Sequence, residues 1–370
     1  MAPTQDALYS EIDLELSWSE RDLPERERTK HVHRLHPYLG KFIPQLVEAL
    51  LGRYIAVGGR VLDPFAGSGT TLVQSLESGR DAAGVDIAAF NCLLMHVKTR
   101  SYDLFALESE IRDVVRRVEA FDGDGPAPSG YAAKWFAPRA AAELLAFREL
   151  VGDYEHADVL RVVLARAARS ARRTPHYDLD FPRAPQIESY WCHKHKRICR
   201  PVERAEHFIR RYAIDTLARI KEFSRVRARG READVSHEDS RGIEYQGRFD
   251  GVVTSPPYPG LIDYHEQHRY AYELLGLDDR RAVELGAAAR GTSIAALGAY
   301  VDGVAAVLAR AKGSLRACSP VVIVVHDRRE LYPEILDRAG LRLEERLRRH
   351  VNRRTGRRAG EFFEEILIAR

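Results

Sequence analysis

The 370-residue sequence has few cysteines and no long apolar segment. Its four cysteines are irregularly spaced, which argues against a disulfide framework and favours a reducing compartment. The longest aliphatic run, at 321–325, is far too short to cross a membrane. The first twenty residues are acidic and lack the apolar centre of a signal peptide. We therefore expect a cytoplasmic protein that has no membrane partner.

The sequence also lacks a strong charge of either sign, since its formal net charge is only +3. This small excess permits a nucleic-acid partner without requiring one, because local clustering of charge matters more than the sum. With 45% hydrophobic and 30% charged residues, the composition is that of an ordinary globular protein. The length suits one large α/β domain with an insertion, or two domains.

Alternating strand and helix patterns predict an α/β fold. We expect a seven-stranded, mostly parallel, Rossmann-like sheet whose last two strands form an antiparallel pair at one edge. This domain would comprise residues 31–100 and 231–370, preceded by a loosely attached polar arm at 1–30. Residues 101–230 are rich in Ala, Arg, Glu and Leu and show no strand pattern, so they predict a largely helical insertion between the second and third strands.

The stretch "DPFAGSGTT" predicts a glycine turn between a strand and a helix. Asp63 would end the strand, and Gly67 and Gly69 would let the turn pass close to a ligand whose anionic group meets the first N–H groups of the helix. Asp86 ends the next strand, where a carboxylate can accept hydrogen bonds from ribose hydroxyls. The third glycine of the dinucleotide fingerprint is missing. The pattern therefore leaves two interpretations, a site for a nucleoside cofactor or a plain strand–helix turn.

The stretch "VVTSPPY" ends an apolar strand in two prolines. Pro256 and Pro257 carry carbonyl groups but no N–H, Ser255 adds a hydroxyl, and Tyr258 offers a flat ring. Such a turn suits an exocyclic amine on a heteroaromatic ring, because acceptors would hold the amine and the ring would stack on the tyrosine. A purely structural turn that closes a buried strand is the alternative.

Together, "DPFAGSGTT" and "TSPPY" resemble the amino-methyltransferases of DNA, which use S-adenosylmethionine to methylate cytosine N4 or adenine N6. The likeness covers residues 30–100 and 233–370 but not the insertion. It implies direct methyl transfer to a base that has swung out of double-stranded DNA, and the serine form of the turn goes with cytosine N4. A cognate restriction nuclease is the further partner that it implies. Adenine N6, an amine in RNA, and an inactive nucleic-acid-binding homologue remain alternatives.

The resemblance assigns residues by position. The catalytic turn would be Ser255, Pro256, Pro257 and Tyr258. The methionine part of the cofactor would lie against Asp63, Phe65, Gly67, Ser68, Gly69 and Thr70, with Asp86 at the ribose and Asp239 at the adenine. The upstream "HPYLGKFIP" resembles the segment that closes over the cofactor and adds Tyr38, Lys41, Phe42 and Pro44, although Lys41 also fits an ordinary surface position at a helix start.

The insertion contains the motif "WCHKHKRIC", which clusters Cys192, His193, His195 and Cys199. Its spacing matches no common zinc motif, and four ligands on one short segment would be difficult to arrange around one ion. We expect no metal, and interpret the motif as a basic loop that contacts phosphates. Since no other part of the chain offers a target-recognition region, we assign that role to the insertion.

Overall fold

The protein is described here by a computed structural model that covers residues 13–18, 22–24, 27, 29–40, 43–123, 126–351 and 362–370. The helices are α1 (Pro44–Tyr54), α2 (Thr70–Glu77), α3 (Ala89–Thr99), α4 (Leu104–Glu119), α5 (Gly130–Trp135), α6 (Pro138–Leu150), α7 (Ala157–Ala171), α8 (Glu206–Val226), α9 (Tyr264–Gln267), α10 (Arg269–Leu275), α11 (Ile294–Gly313) and α12 (Tyr332–Arg338). The strands are β1 (Arg60–Asp63), β2 (Asp81–Asp86), β3 (Tyr190–Cys192), β4 (Arg197–Cys199), β5 (Ala233–His237), β6 (Gly251–Thr254), β7 (Val321–Val325), β8 (Leu343–Val351) and β9 (Phe362–Ala369).

The main sheet has seven strands in the order β5-β2-β1-β6-β7-β9-β8. The first five are parallel, with Val61 opposite both Ala82 and Gly251. Strand β9 runs antiparallel between β7 and β8. The predicted fold class is confirmed, including the antiparallel edge pair and the insertion between β2 and β5.

Helices cover both faces of the sheet, as the packing of β7 shows. Every residue of this strand is buried. Val322 and Val324 pack with α1 on one face, whereas the alternate residues of β7 pack with α11 and α12 on the other. A strand buried on both faces reads as the continuous apolar run that the sequence contains. Helix α11 is long and apolar enough to span a membrane by composition, but Val304 and Leu308 are buried in the core beside this face.

The insertion packs as a helical layer beside the sheet. Helices α4, α6, α7 and α8 share one core cluster with α3 and α10. Arg166 of α7 is buried and bonds Asp215 of α8 at 2.5 Å. The insertion is largely helical as predicted, but the expectation that it contains no strand is wrong. Strands β3 and β4 form a separate antiparallel hairpin. The sequence does not reveal these strands because each has only three residues, which is too short to show the alternation of a strand.

The boundary drawn for a loose arm at 1–30 also needs correction, because residues 13–18 belong to the core packing. Leu16 is fully buried beside α1, and its carbonyl oxygen accepts a hydrogen bond from Arg349. Asp13 forms an ion pair with Arg53 at 2.8 Å. Of the polar residues that suggested a free arm, Asp13 and Glu15 instead form ion pairs with Arg53 of α1.

Candidate active site

The carboxyl ends of β1, β2, β5 and β6 open into one cavity. It encloses about 830 Å³ of space, part of which is open to solvent. Its walls combine the glycine turn, the ends of neighbouring strands and the Pro-Pro turn. Of the predicted site residues, the walls include Tyr38, Phe65, Gly67, Ser68, Thr70, Asp86, Asp239, Ser255 and Pro257. Ligands bind at this edge in open parallel sheets because the strand order reverses there.

The glycine turn needs its glycines because of their backbone angles and because neighbouring side chains leave no room for a Cβ. Gly67 and Gly69 have φ angles of +51° and +83°, in the left-handed region that side chains disfavour. A Cβ on Gly67 would lie 3.1 Å from the Tyr38 hydroxyl, and one on Gly69 would lie 2.8 Å from Cγ of Met95. The buried ammonium group of Lys98 donates to the carbonyl oxygen of Ser68 at 2.5 Å and so holds the turn from behind.

Asp63 joins the two predicted loops directly. Its Oδ1 accepts hydrogen bonds from the Thr254 hydroxyl at 2.6 Å and from the Phe65 N–H at 3.1 Å. Burial raises the pKa of Asp63 to about 6, and the Thr254 hydrogen bond opposes that rise. The buried Oδ2 makes no hydrogen bond in the structure. A buried carboxylate oxygen without a donor is costly, and it can serve a cationic ligand such as an ammonium group.

Asp86 is held by three N–H donors. Its Oδ2 accepts from Gly67 N–H at 2.8 Å, and its Oδ1 accepts from Ala88 N–H at 2.8 Å and from the Asn91 amide at 3.0 Å. Burial is the largest cause of the raised pKa of this carboxyl. A carboxylate offers about four acceptor sites, so about one remains for a ligand hydroxyl. Both ribose hydroxyls can therefore bind here only if one internal donor is displaced.

Three stacked rings close one side of the cavity. Tyr38 stacks on Tyr264 with ring centroids 5.3 Å apart and on His268 with centroids 5.6 Å apart. The Tyr38 hydroxyl accepts a hydrogen bond from the Asn91 amide at 3.1 Å. Burial lowers the pKa of His268 to about 3, so this imidazole is neutral within the stack at physiological pH. The stack positions the predicted closing segment beside the glycine turn.

Asp239 lies in the cavity wall, but its carboxylate is already occupied. Arg241 donates to both oxygens, with its Nη2 2.5 Å from Oδ2, and lowers the pKa of Asp239. An adenine amine would have to compete with this guanidinium. The neighbouring Ser240 instead ties the loop to the glycine turn, since its hydroxyl donates to the Pro64 carbonyl oxygen at 2.7 Å.

The Pro-Pro turn contributes Ser255 and Pro257 to the cavity wall. The Ser255 hydroxyl donates its proton to the carbonyl oxygen of Val324 at 2.9 Å, so the lone pairs of Oγ remain available to an amine. Pro257 lines the cavity, whereas Pro256 is buried behind it. The Tyr258 ring lies 6.3 Å from that of His326, and burial raises the pKa of its hydroxyl well above the usual value.

Some predicted residues are not in the cavity walls. Asp63, Gly69, Pro256 and Tyr258 do not line the cavity, although each is next to a lining residue in the sequence, and Pro44 is buried at the first position of α1. Lys41 and Phe42 lie outside the described residues.

Sequence reasoning did not assign four residues that shape the site. Tyr264 and Asn91 contact Tyr38, and Lys98 supports Ser68. Glu284 lines the cavity and accepts hydrogen bonds from the Tyr264 N–H at 3.0 Å and from His265 at 2.6 Å. The nearness of Tyr264 to the Pro-Pro turn was a usable signal. The sequence gives no such signal for Asn91, Lys98 and Glu284, because their partners are distant in the sequence or because they lie in an ordinary helix pattern.

The cavity fits the nucleoside cofactor that the resemblance implies. Three buried polar atoms around it, Asp63 Oδ2, Ser68 Oγ and Asn91 Oδ1, make no hydrogen bond within the described protein. Such atoms can bind ammonium and hydroxyl groups of a ligand.

The sequence is similar to one protein family and to one known protein. A family model described as DNA methylase, for N6 and N4 methyltransferases, matches residues 7–95. The Type II methyltransferase M.MjaII of Methanocaldococcus jannaschii is 34% identical over an alignment that covers 93% of this chain and 81% of that protein.

Among solved structures, TrmN from Thermus thermophilus matches 90% of this chain and 49% of its own at 12% identity, with a TM-score of 0.36. The rRNA methyltransferase aviRa from Streptomyces viridochromogenes matches 90% of this chain and 88% of its own at 14% identity, with a TM-score of 0.35.

Proposed function

Because this chain belongs to the S-adenosylmethionine-dependent amino-methyltransferases of DNA, we propose that it methylates the exocyclic N4 amine of cytosine in double-stranded DNA. The observation that carries the proposal is the position of Ser255. It faces the same cavity as Gly67 and Asp86, and its own proton is donated to Val324. A serine at this position is the form that goes with cytosine.

The chain's own residues would act by orientation. An aryl amine is a poor nucleophile because its lone pair is delocalised into the ring. Acceptors at Ser255 Oγ and at the prolyl carbonyls would bind the amine hydrogens and favour a pyramidal nitrogen. S-adenosylmethionine, when bound, supplies the electrophilic methyl group. The target base would first leave the duplex, since base pairing and stacking otherwise keep the methyl donor from reaching the lone pair of its amine.

The proposal includes target recognition by the insertion at 101–230. A series of contacts supports it. Arg172 at the end of α7 donates to the Leu179 carbonyl oxygen and lies 4.5 Å from the Tyr270 ring centroid. The Tyr270 hydroxyl bonds His36 at 2.9 Å, two residues before Tyr38. The insertion therefore packs next to the cavity, where flanking bases of the target would lie.

Exposed cations on the β3–β4 hairpin are the candidate phosphate contacts. Lys194 and Lys196 are exposed in its turn. Replacing both with alanine should weaken DNA binding equally for all sequences and reduce the salt dependence of binding by about one counterion per lost contact. Arg316→Ala, at the opposite edge of the sheet, is the control. Equal losses in both variants would remove the hairpin from the DNA interface.

The direct test is to incubate the protein with labelled S-adenosylmethionine and with DNA or RNA of mixed sequence. Mass spectrometry of the digested nucleosides then identifies the product. N4-methylcytosine from DNA is expected. N6-methyladenine would move the target, a methylated ribonucleoside would replace DNA by RNA, and no product in the presence of bound cofactor would favour an inactive homologue. A cognate restriction nuclease, which we also propose, should fail to cleave DNA methylated in this way.

A further inference from the structure

The β3–β4 hairpin of the insertion turns two cysteines toward one another. In its register Tyr190 lies opposite Cys199, and Cys192 lies opposite Arg197. Residues two apart on a strand share a face, so Cys192 and Cys199 project from the same side of the hairpin. Both thiols are free and buried, in contrast to the exposed Cys318.

Two histidines complete a compact set of ligand atoms. His195, in the hairpin turn, has its Nδ1 3.7 Å from the Cys192 sulfur and 3.5 Å from the Cys199 sulfur. His176 arrives from a separate segment, with its ring centroid 4.6 Å from that of His195. One ligand atom from each of the four residues lies within 4.8 Å of all the others.

These distances suit a tetrahedral ion. With metal–sulfur and metal–nitrogen bonds of about 2.3 and 2.0 Å, a tetrahedral angle places sulfur and nitrogen about 3.5 Å apart. The two sulfur–nitrogen distances to His195, 3.7 and 3.5 Å, are close to this value. Two thiolates with two imidazoles in tetrahedral geometry are the ligand set of a structural zinc site.

A hydrogen bond holds His176 in the orientation that a ligand needs. The Tyr190 hydroxyl lies 2.9 Å from Nδ1 of His176 and 3.0 Å from its backbone nitrogen. If Tyr190 oxygen accepts from both N–H groups, Nε2 keeps its lone pair for a metal. Partners of this kind fix the tautomer and ring angle of metal-bound histidines.

The hairpin also needs a stabilising element beyond its own strands. Each strand has three residues, and an isolated two-stranded hairpin is marginal in water. Its other face is solvated, since Trp191 and Ile198 are 54% and 69% exposed. Lys196, next to His195, has a φ of +51°, an uncommon angle for a residue with a side chain.

We propose that Cys192, Cys199, His195 and His176 bind one zinc ion, which fixes the hairpin to the segment that carries His176. The spacing of "WCHKHKRIC" disfavours a metal only if all four ligands come from that segment. The structure instead brings in His176 and leaves His193 outside the cluster.

Metal analysis of the full-length protein, purified without chelator and reconstituted with zinc, tests the site. Wild type should hold about one zinc per chain. Cys192→Ser and His176→Ala should lose it, whereas the matched controls Cys318→Ser and His193→Ala should retain it. Tyr190→Phe should retain zinc with about tenfold weaker affinity. Equal zinc content in wild type and Cys192→Ser, or loss in His193→Ala, would overturn the proposal.

Cobalt(II) titration of wild type provides a second measurement that does not depend on how well any variant folds. Thiolate charge-transfer bands together with the visible bands of tetrahedral cobalt, displaced by added zinc, are expected. An octahedral spectrum, or no thiolate band, would refute the site. If protein purified fresh under reducing conditions contained a Cys192–Cys199 disulfide and no metal, that result would also refute the site.

Discussion

Asp63 is a buried carboxyl group, and its charge at neutral pH should lower the stability of the folded protein. In Asp63→Asn, the amide oxygen can keep both hydrogen bonds of Oδ1, to Thr254 and to Phe65 N–H. The amide nitrogen would replace Oδ2, which makes no hydrogen bond to any described residue. The substitution therefore removes the buried charge and retains the local contacts, while it should weaken binding of a cationic ligand group.

The sign of the pH dependence follows from the raised pKa. The folded-state pKa is about 6 against an ordinary value of 3.8, so the folded protein binds a proton more tightly than the unfolded chain. Stability falls as pH rises through this window, because the unfolded chain releases the proton first. The full deficit is roughly 3 kcal/mol above pH 7, and about half of it is already present at pH 5. The stability of Asp63→Asn relative to wild type should thus increase by roughly 1 kcal/mol from pH 5 to pH 8.

Urea unfolding followed by tryptophan fluorescence at pH 5, 6, 7 and 8 measures this difference. Taking the variant minus wild type at each pH cancels the titration of all other groups. Asp122→Asn, at an exposed position, controls for the loss of one carboxyl. A difference that is constant with pH, or one that becomes less favourable to the variant as pH rises, would show that Asp63 does not titrate as a buried acid. Calorimetry with S-adenosylmethionine on the same samples should show weaker binding than wild type.

Three further results are expected at the cavity. Ser255→Ala and Tyr258→Ala should each slow methyl transfer and largely spare cofactor affinity, and the loss of the Ser255 acceptor should slow it by about 100-fold. Unchanged turnover in both variants would contradict the assignment of the catalytic turn. Asp86→Ala should weaken cofactor binding by about tenfold or more in a calorimetric titration, and wild-type affinity would remove its ribose role. Gly67→Ala should lower cofactor affinity and thermal stability together, because its φ of +51° disfavours a side chain and the new Cβ would crowd the Tyr38 hydroxyl; a thermal melt identical to wild type would contradict this strain.

The fold and the two loops could be predicted because their signals are local. The run at 321–325 is apolar on both faces because it is buried on both faces, and Gly67 and Gly69 occupy the left-handed angles that their motif requires. The prolines removed N–H donors from the turn at 255–258 whatever the rest of the chain does. The same reasoning failed for the β3–β4 hairpin, whose three-residue strands are shorter than the period needed to recognise them.

The remaining site depends on side chains that are distant in the sequence. The hydrogen bond between Thr254 and Asp63 joins residues 191 positions apart, and the one between Tyr270 and His36 joins residues 234 apart. The position of β9 between β7 and β8 likewise depends on which strands pair, and the sequence pattern of each strand does not specify this.

The amino-acid sequence by itself determined the backbone of the two loops and the family, because turn geometry and missing N–H donors are properties of a few consecutive residues. Only the tertiary structure decided that Thr254 bonds Asp63, that Tyr264 stacks on Tyr38, and that His176 replaces His193 beside the cysteines. Those contacts depend on how whole elements pack and register, and neighbours along the chain carry little information about that.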